Sequence, residues 1–106
     1  MTWEKANLKQ WLTAAIGHDA GEAIEAIVIG DGGDADKPPQ IYNTLLSWAQ
    51  ASPMLDYDFT EMEGRAGCNP IYVWTAESIF LIGAYDGSTR LVTIPRHPTT
   101  CTPTYV

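Results

Sequence analysis

Two cysteines, two histidines and a handful of arginines carry whatever nucleophilic or anion-binding chemistry this chain could perform. Cys68 follows the glycine turn Gly64-Arg65-Ala66-Gly67 and precedes Asn69-Pro70, a setting that reads as exposed and reactive. A cysteine nucleophile needs an imidazole within hydrogen-bond reach and an acid to orient it. His18 and His97 are the imidazoles on offer. Against this stands the ordinary behaviour of a lone cysteine, which packs as an inert small hydrophobe. Arg90, Arg96 and His97 form a second set. If the fold gathers them at one end of the C-terminal strands, beside Asp56, Asp58 or Trp74, they make an anchor for a carboxylate or phosphate. The plainer reading is that Tyr85-Asp86-Gly87 makes a turn and Pro95-Arg96-His97-Pro98 ends a strand.

No metal or cofactor is expected. His97 and Cys101 stand four apart, but Pro98 lies between them, only His18 remains as a further nitrogen ligand, and no paired Cys-x-x-Cys half-site exists. Asp31, Asp34 and Asp36 lack the alternating acids, glycine and distal glutamate of a calcium loop, so they read as solvated turn acids. With no export signal and no second cysteine pair, Cys68 and Cys101 are expected to be free thiols.

Thirteen Asp and Glu against six Lys and Arg give a net charge of −7, with the acids divided almost evenly about Pro53. Such a surface repels phosphate backbones and anionic lipid, which excludes direct nucleic-acid or membrane binding and favours a basic partner. Solubility alone also explains an acidic surface. The longest apolar run, Ile79 to Tyr85, is far shorter than the roughly 20 residues of a membrane span. Residues 1–16 are too polar for a signal peptide, so the expected setting is cytoplasmic.

The elements that must position these residues follow from periodicity. Over Trp3 to Ile16, Leu8, Trp11, Leu12, Ala15 and Ile16 fall on one helical face, with Thr2 as N-cap and Gly17 just past the end. Ala23 to Ile29 is rich in β-branched residues and reads as a buried strand. The loop Asp31 to Pro39 is followed by a helix predicted from Pro39 through Ile41, Leu45 and Trp48 to Ser52-Pro53. From Met54 the period becomes two, with Leu55, Tyr57 and Phe59 on a dry side and Asp56 and Asp58 on a wet one. Ile71 to Thr75, Ser78 to Tyr85 and Thr89 to Ile94 are three further strands, the last two joined by a hairpin at Asp86-Gly87. Residues 95–106 carry too many prolines for a central strand and are expected to form an extended C-terminal arm.

The stretch from Tyr72 to Pro98 contains Trp74-Thr75, an apolar strand, Tyr85-Asp86-Gly87-Ser88 and Pro95-Arg96-His97-Pro98. In these features it resembles the C-terminal part of small uncharacterised bacterial proteins from mobile elements such as phages, plasmids and integron gene cassettes. The resemblance covers roughly the last third of the chain and extends to Leu55-Asp56-Tyr57-Asp58. It implies a mobile-gene context and no particular activity. Beyond Asp58 the chain departs from the pattern, with Thr60-Glu61-Met62-Glu63-Gly64 where glycines and aromatics are usual.

The expected architecture is a single α+β domain over residues 1–106, in the order α-β-α-β-β-β-β, a two-layer sandwich with two helices on a mainly antiparallel sheet of about five strands. Helices on one side leave the other side of the Ile79 to Tyr85 strand bare, to be covered by the arm, a second subunit or an apolar ligand. A homodimer through the face bearing Phe80 and Ile82 is the preferred expectation. The preferred function is an interaction protein that sets its carboxylates, Asp56 and Asp58 among them, against a basic partner. The alternative is a small-molecule binder or hydrolytic enzyme using Trp74, Arg90, Arg96, His97 and Cys68.

Overall fold

A computed structural model describes residues 5–17, 19–32, 41–60, 68–85 and 88–105. His18, Asp34, Asp36, the turns at Gly64 to Gly67 and Asp86-Gly87, and the expected helix starts at Thr2 and Pro39 lie outside the described residues. Among the described residues the order is β1 (Lys5–Asn7), α1 (Leu8–Ile16), α2 (Ala20–Ala23), β2 (Ala26–Ile29), α3 (Trp48–Leu55), β3 (Asp58–Thr60), β4 (Ile71–Trp74), β5 (Ser78–Tyr85) and β6 (Ser88–Pro95). The fold is α+β with antiparallel sheets, as expected.

The first helix is shorter than its apolar stripe. Asn7 takes the extended conformation of an N-cap and its side chain accepts from the Gln10 N–H at 3.2 Å, so the helix begins at Leu8. Residues 5–7 form a strand instead, with Ala6 paired to Phe59. Gly17, at φ 102°, ends the helix by donating its N–H to the Thr13 carbonyl at 2.7 Å. The second expected helix is also displaced. Ser47 and Gln50 form a reciprocal capping box, with Ser47 N to Gln50 Oε1 at 2.9 Å and Gln50 N to Ser47 Oγ at 3.2 Å. The helix therefore starts at Trp48, and it continues past Pro53 because Leu55 is fully buried. Ala20 to Ala23, the last of which was expected to open a strand, is a single helical turn closed by Glu22 and Ala23 donating to the Asp19 carbonyl.

The main sheet has four strands in the order β2-β4-β5-β6, all antiparallel. The expected fifth strand pairs with β1 in a separate two-stranded sheet. Tyr85 pairs with Ser88, the spacing that a two-residue Asp-Gly connection requires. The outer edge of β2 is closed by the segment before α3: Ile27 and Leu46 exchange backbone hydrogen bonds at 2.9 and 2.8 Å, and Asn43 N donates to Ile29 O at 2.9 Å. Asn43 stands at φ 61°, a conformation that asparagine tolerates better than most residues.

Register puts Ile27, Val73 and Phe80 in one row and Ile29 and Ile71 in the next, on the face that meets Leu8, Leu12, Ala51 and Leu55. Phe80 is only 7% exposed and Ile82 packs against the same cluster. The face assigned to dimerisation from the sequence is thus the core face. Alternation fixed which residues share a side, and the helices cover the side opposite to the one expected.

Candidate functional site

The open side of the sheet is built by the alternate residues of the same strands. Val28, Tyr72, Leu81 and Val92 form one cross-strand row, and Ala26, Trp74, Ile79 and Ile94 the next. Tyr72 is 55% exposed and Ile94 40%, while Trp74, Ile79 and Leu81 are half-buried and Val92 is buried. The Tyr72 and Trp74 rings meet edge to face, with centroids 6.1 Å apart and planes at 76°. None of these side chains bears a charge. A groove of about 470 Å³ opens beside Val28, Gly30, Asn43, Pro70, Tyr72 and Leu81, at the end of the sheet where β5 turns into β6.

Arg90 marks that hairpin end. It lies opposite Gly83, where a Cβ would come within 2.8 Å of Val92 Cγ2, so only glycine lets Val92 lie flat. The Arg90 guanidinium donates to the Tyr105 carbonyl, which brings the end of the arm back along β6. Residues 96–105 are exposed and lie outside any strand, while Pro95 is the last residue of β6.

Arg96 serves the other end of the sheet. It donates to the Glu25 carboxylate and, at 2.8 Å, to the Thr75 carbonyl, and its own N–H reaches Glu77 O at 2.9 Å. It therefore ties the exit of β6 to the β4–β5 turn and to the entry of β2. Thr75 closes the same turn by accepting from Ser78 N at 3.1 Å. Trp74 and the exposed His97 belong to this end as well. Arg90 and Arg96 are therefore about 20 Å apart at ~3.3 Å of strand per residue, and do not form one anchor.

Asp56 and Asp58 are exposed, and both accept from Asn7 Nδ2, at 3.0 and 3.4 Å. Lys9 Nζ lies 3.7 Å from Asp56. Their local work is to hold the residue that caps α1. Neither cysteine is in a disulfide, as expected, but Cys68, expected to be exposed, is 2% exposed and part of the core, while Cys101 is exposed on the arm. The burial follows from Asn69, whose fully buried side chain accepts from Tyr57 Oη at 2.6 Å and donates to Gly30 O at 2.8 Å, pulling the segment inward. A buried thiol in apolar surroundings is a poor nucleophile.

Sequence reasoning passed over Asn7, Asn69 and the exposed Tyr72 and Ile94. The open face had a signal, since period-two alternation places Tyr72, Trp74 and Ile79 on one side; the two asparagines act through partners distant in sequence and had none. Among the described residues no group of His, Cys, Asp and Glu is arranged to hold a metal, and no helix is long and apolar enough to cross a membrane. The sequence matches no known family model, and no curated protein or solved structure matches it.

Proposed function

We infer that the chain is an acidic accessory interaction protein that works by associating with a basic protein partner, rather than an enzyme. The observation that carries this reading is the disposition of charge. Every described carboxylate, from Asp19, Glu22, Glu25 and Asp31 to Asp56, Asp58 and Glu77, is exposed, on a chain of net charge −7. Exposed charge of one sign steers a partner of the other sign and speeds encounter. The small-molecule reading loses support from the same geometry, because Arg90, Arg96 and Cys68 do not converge on one cleft. The resemblance of the β4–β5–β6 region to mobile-element proteins fits an accessory role in such an element.

The test places a photo-crosslinking residue at the exposed Gln10, beside Asp56, in the host cell. The expected adduct is a protein of net positive charge, its association with the purified chain weakened by salt and by the double change Asp56→Asn and Asp58→Asn. An acidic or neutral adduct, or binding abolished by Arg96→Ala and His97→Ala but not by the aspartate changes, overturns the reading.

A further inference from the structure

We propose that residues 97–105 are a strap that closes over β6 on the open side of the sheet and opens locally, held shut by the tie from Arg90 to the Tyr105 carbonyl. Exposure on that side is the reverse of what a bare sheet shows. Across the row Val28, Tyr72, Leu81 and Val92, Tyr72 in the inner strand β4 is 55% exposed, whereas Val92 in the edge strand β6 is 6% exposed. Val92 is also buried without belonging to the core cluster, because it points away from α1 and α3. One flank of Val92 rests on Gly83. Its outer surface needs a cover that neither the helices nor the inner strands supply.

The arm is the segment that reaches it. It leaves β6 at Arg96, and Tyr105 is brought back to Arg90, whose side chain shares the side of Val92. That return is about 20 Å at ~3.3 Å of strand per residue, and the segment from His97 to Tyr105 reaches about 30 Å when extended, so it spans the distance with slack. Ile94 is 40% exposed, which puts the slack near Arg96 and the close cover at Val92, beside the tie. Pro98 and Pro103 have no N–H to give, and among the described residues the tie is the one hydrogen bond from 97–105 to the rest of the chain. The strap therefore covers without pairing as a strand. A segment with few buried contacts and one such bond opens at a far lower free energy than the sheet beneath it. Opening uncovers Val92 beside Leu81 and the already exposed Tyr72, and closing shortens that apolar strip again, so Arg90 sets how much apolar surface the chain shows.

Thiol accessibility in the full chain tests the strap. With Val92→Cys and Cys101→Ser combined, the thiol at position 92 should react with iodoacetamide roughly tenfold or more slowly than the exposed Cys101 of the unsubstituted chain. Adding Arg90→Met, which keeps an apolar stem against Gly83 and removes the donor, should raise that rate by roughly fivefold, as the loss of one charge-assisted hydrogen bond at the surface does. Arg90→Lys keeps a donor and should leave the rate slow. Cys68, in the core, should stay unreactive throughout. A nitroxide on Cys101 of the otherwise unsubstituted chain gives a second reading that leaves Val92 in place: it should broaden the amide resonances of Leu91, Val92 and Thr93, and Arg90→Met should relieve the broadening. A fast-reacting thiol at position 92 with Arg90 present, or a rate and a broadening that Arg90→Met leaves unchanged, overturns the proposal. So does Cys68 becoming reactive in step with position 92, because the opening would then be that of the whole fold.

Discussion

Phe80 and Ile79 are neighbours in β5 and both are large apolar residues, yet Phe80 belongs to the core while Ile79 lies half-buried on the open face. The same contrast repeats along β4, where Ile71 and Val73 are buried and Tyr72 between them is exposed. Composition does not separate the two faces. What separates them is which side the connections around α1 and α3 return to, and the lesson is that an apolar strand written on both sides does not itself say which side the helices cover.

Truncating each face in turn tests that contrast most directly. Phe80→Ala should destabilise the chain by about 3–4 kcal/mol, through lost transfer energy and the cavity left behind, whereas Ile79→Ala next to it should cost about 1 kcal/mol or less. Urea unfolding of the two variants at low micromolar concentration reads the difference. Equal costs would mean that the open face is covered within the monomer. The next effect is polar. Asn69→Ala removes the side-chain acceptor of the Tyr57 hydroxyl and the side-chain donor to the Gly30 carbonyl, and should cost about 2 kcal/mol by the same measurement. The smallest effect belongs to the acids at the start of α1. Asp56→Asn and Asp58→Asn keep an oxygen for Asn7 to donate to, so each should change stability by less than about 0.5 kcal/mol. A larger loss would show that these carboxylates are held more tightly than their exposure implies.

Local chemistry explains what could be read in advance. The β5–β6 hairpin, the strand at β4, the end of α1 at Gly17 and the extended arm all depend on neighbours in sequence, and their boundaries shift by a residue or so. The helix starts failed for a reason that can be named. The stripe from Leu8 to Ile16 continues upstream to Trp3, but Ala6 is claimed by Phe59 and Asn7 by Asp56, contacts that no local pattern encodes. Likewise Ile41 and Leu45 sit at helical spacing before Trp48, and the segment is drawn off to close the edge of β2. For the candidate site, Trp74, Arg90, Arg96 and His97 were visible as residue types. The separation of Arg90 and Arg96 follows from the expected strand Thr89 to Ile94 at ~3.3 Å per residue; the meeting of Arg96 with Glu25 was not legible, because it depends on β2 docking beside β4.

Arg96 and Glu25 join positions that stand far apart in the chain, while β5 and β6 join through a two-residue connection. Closing a long loop costs entropy that a hairpin scarcely incurs, so the hairpin and its register can form early and the arginine tie only after β2 has docked beside β4. A tie made that late would act on how fast the finished sheet opens and not on how fast the chain folds.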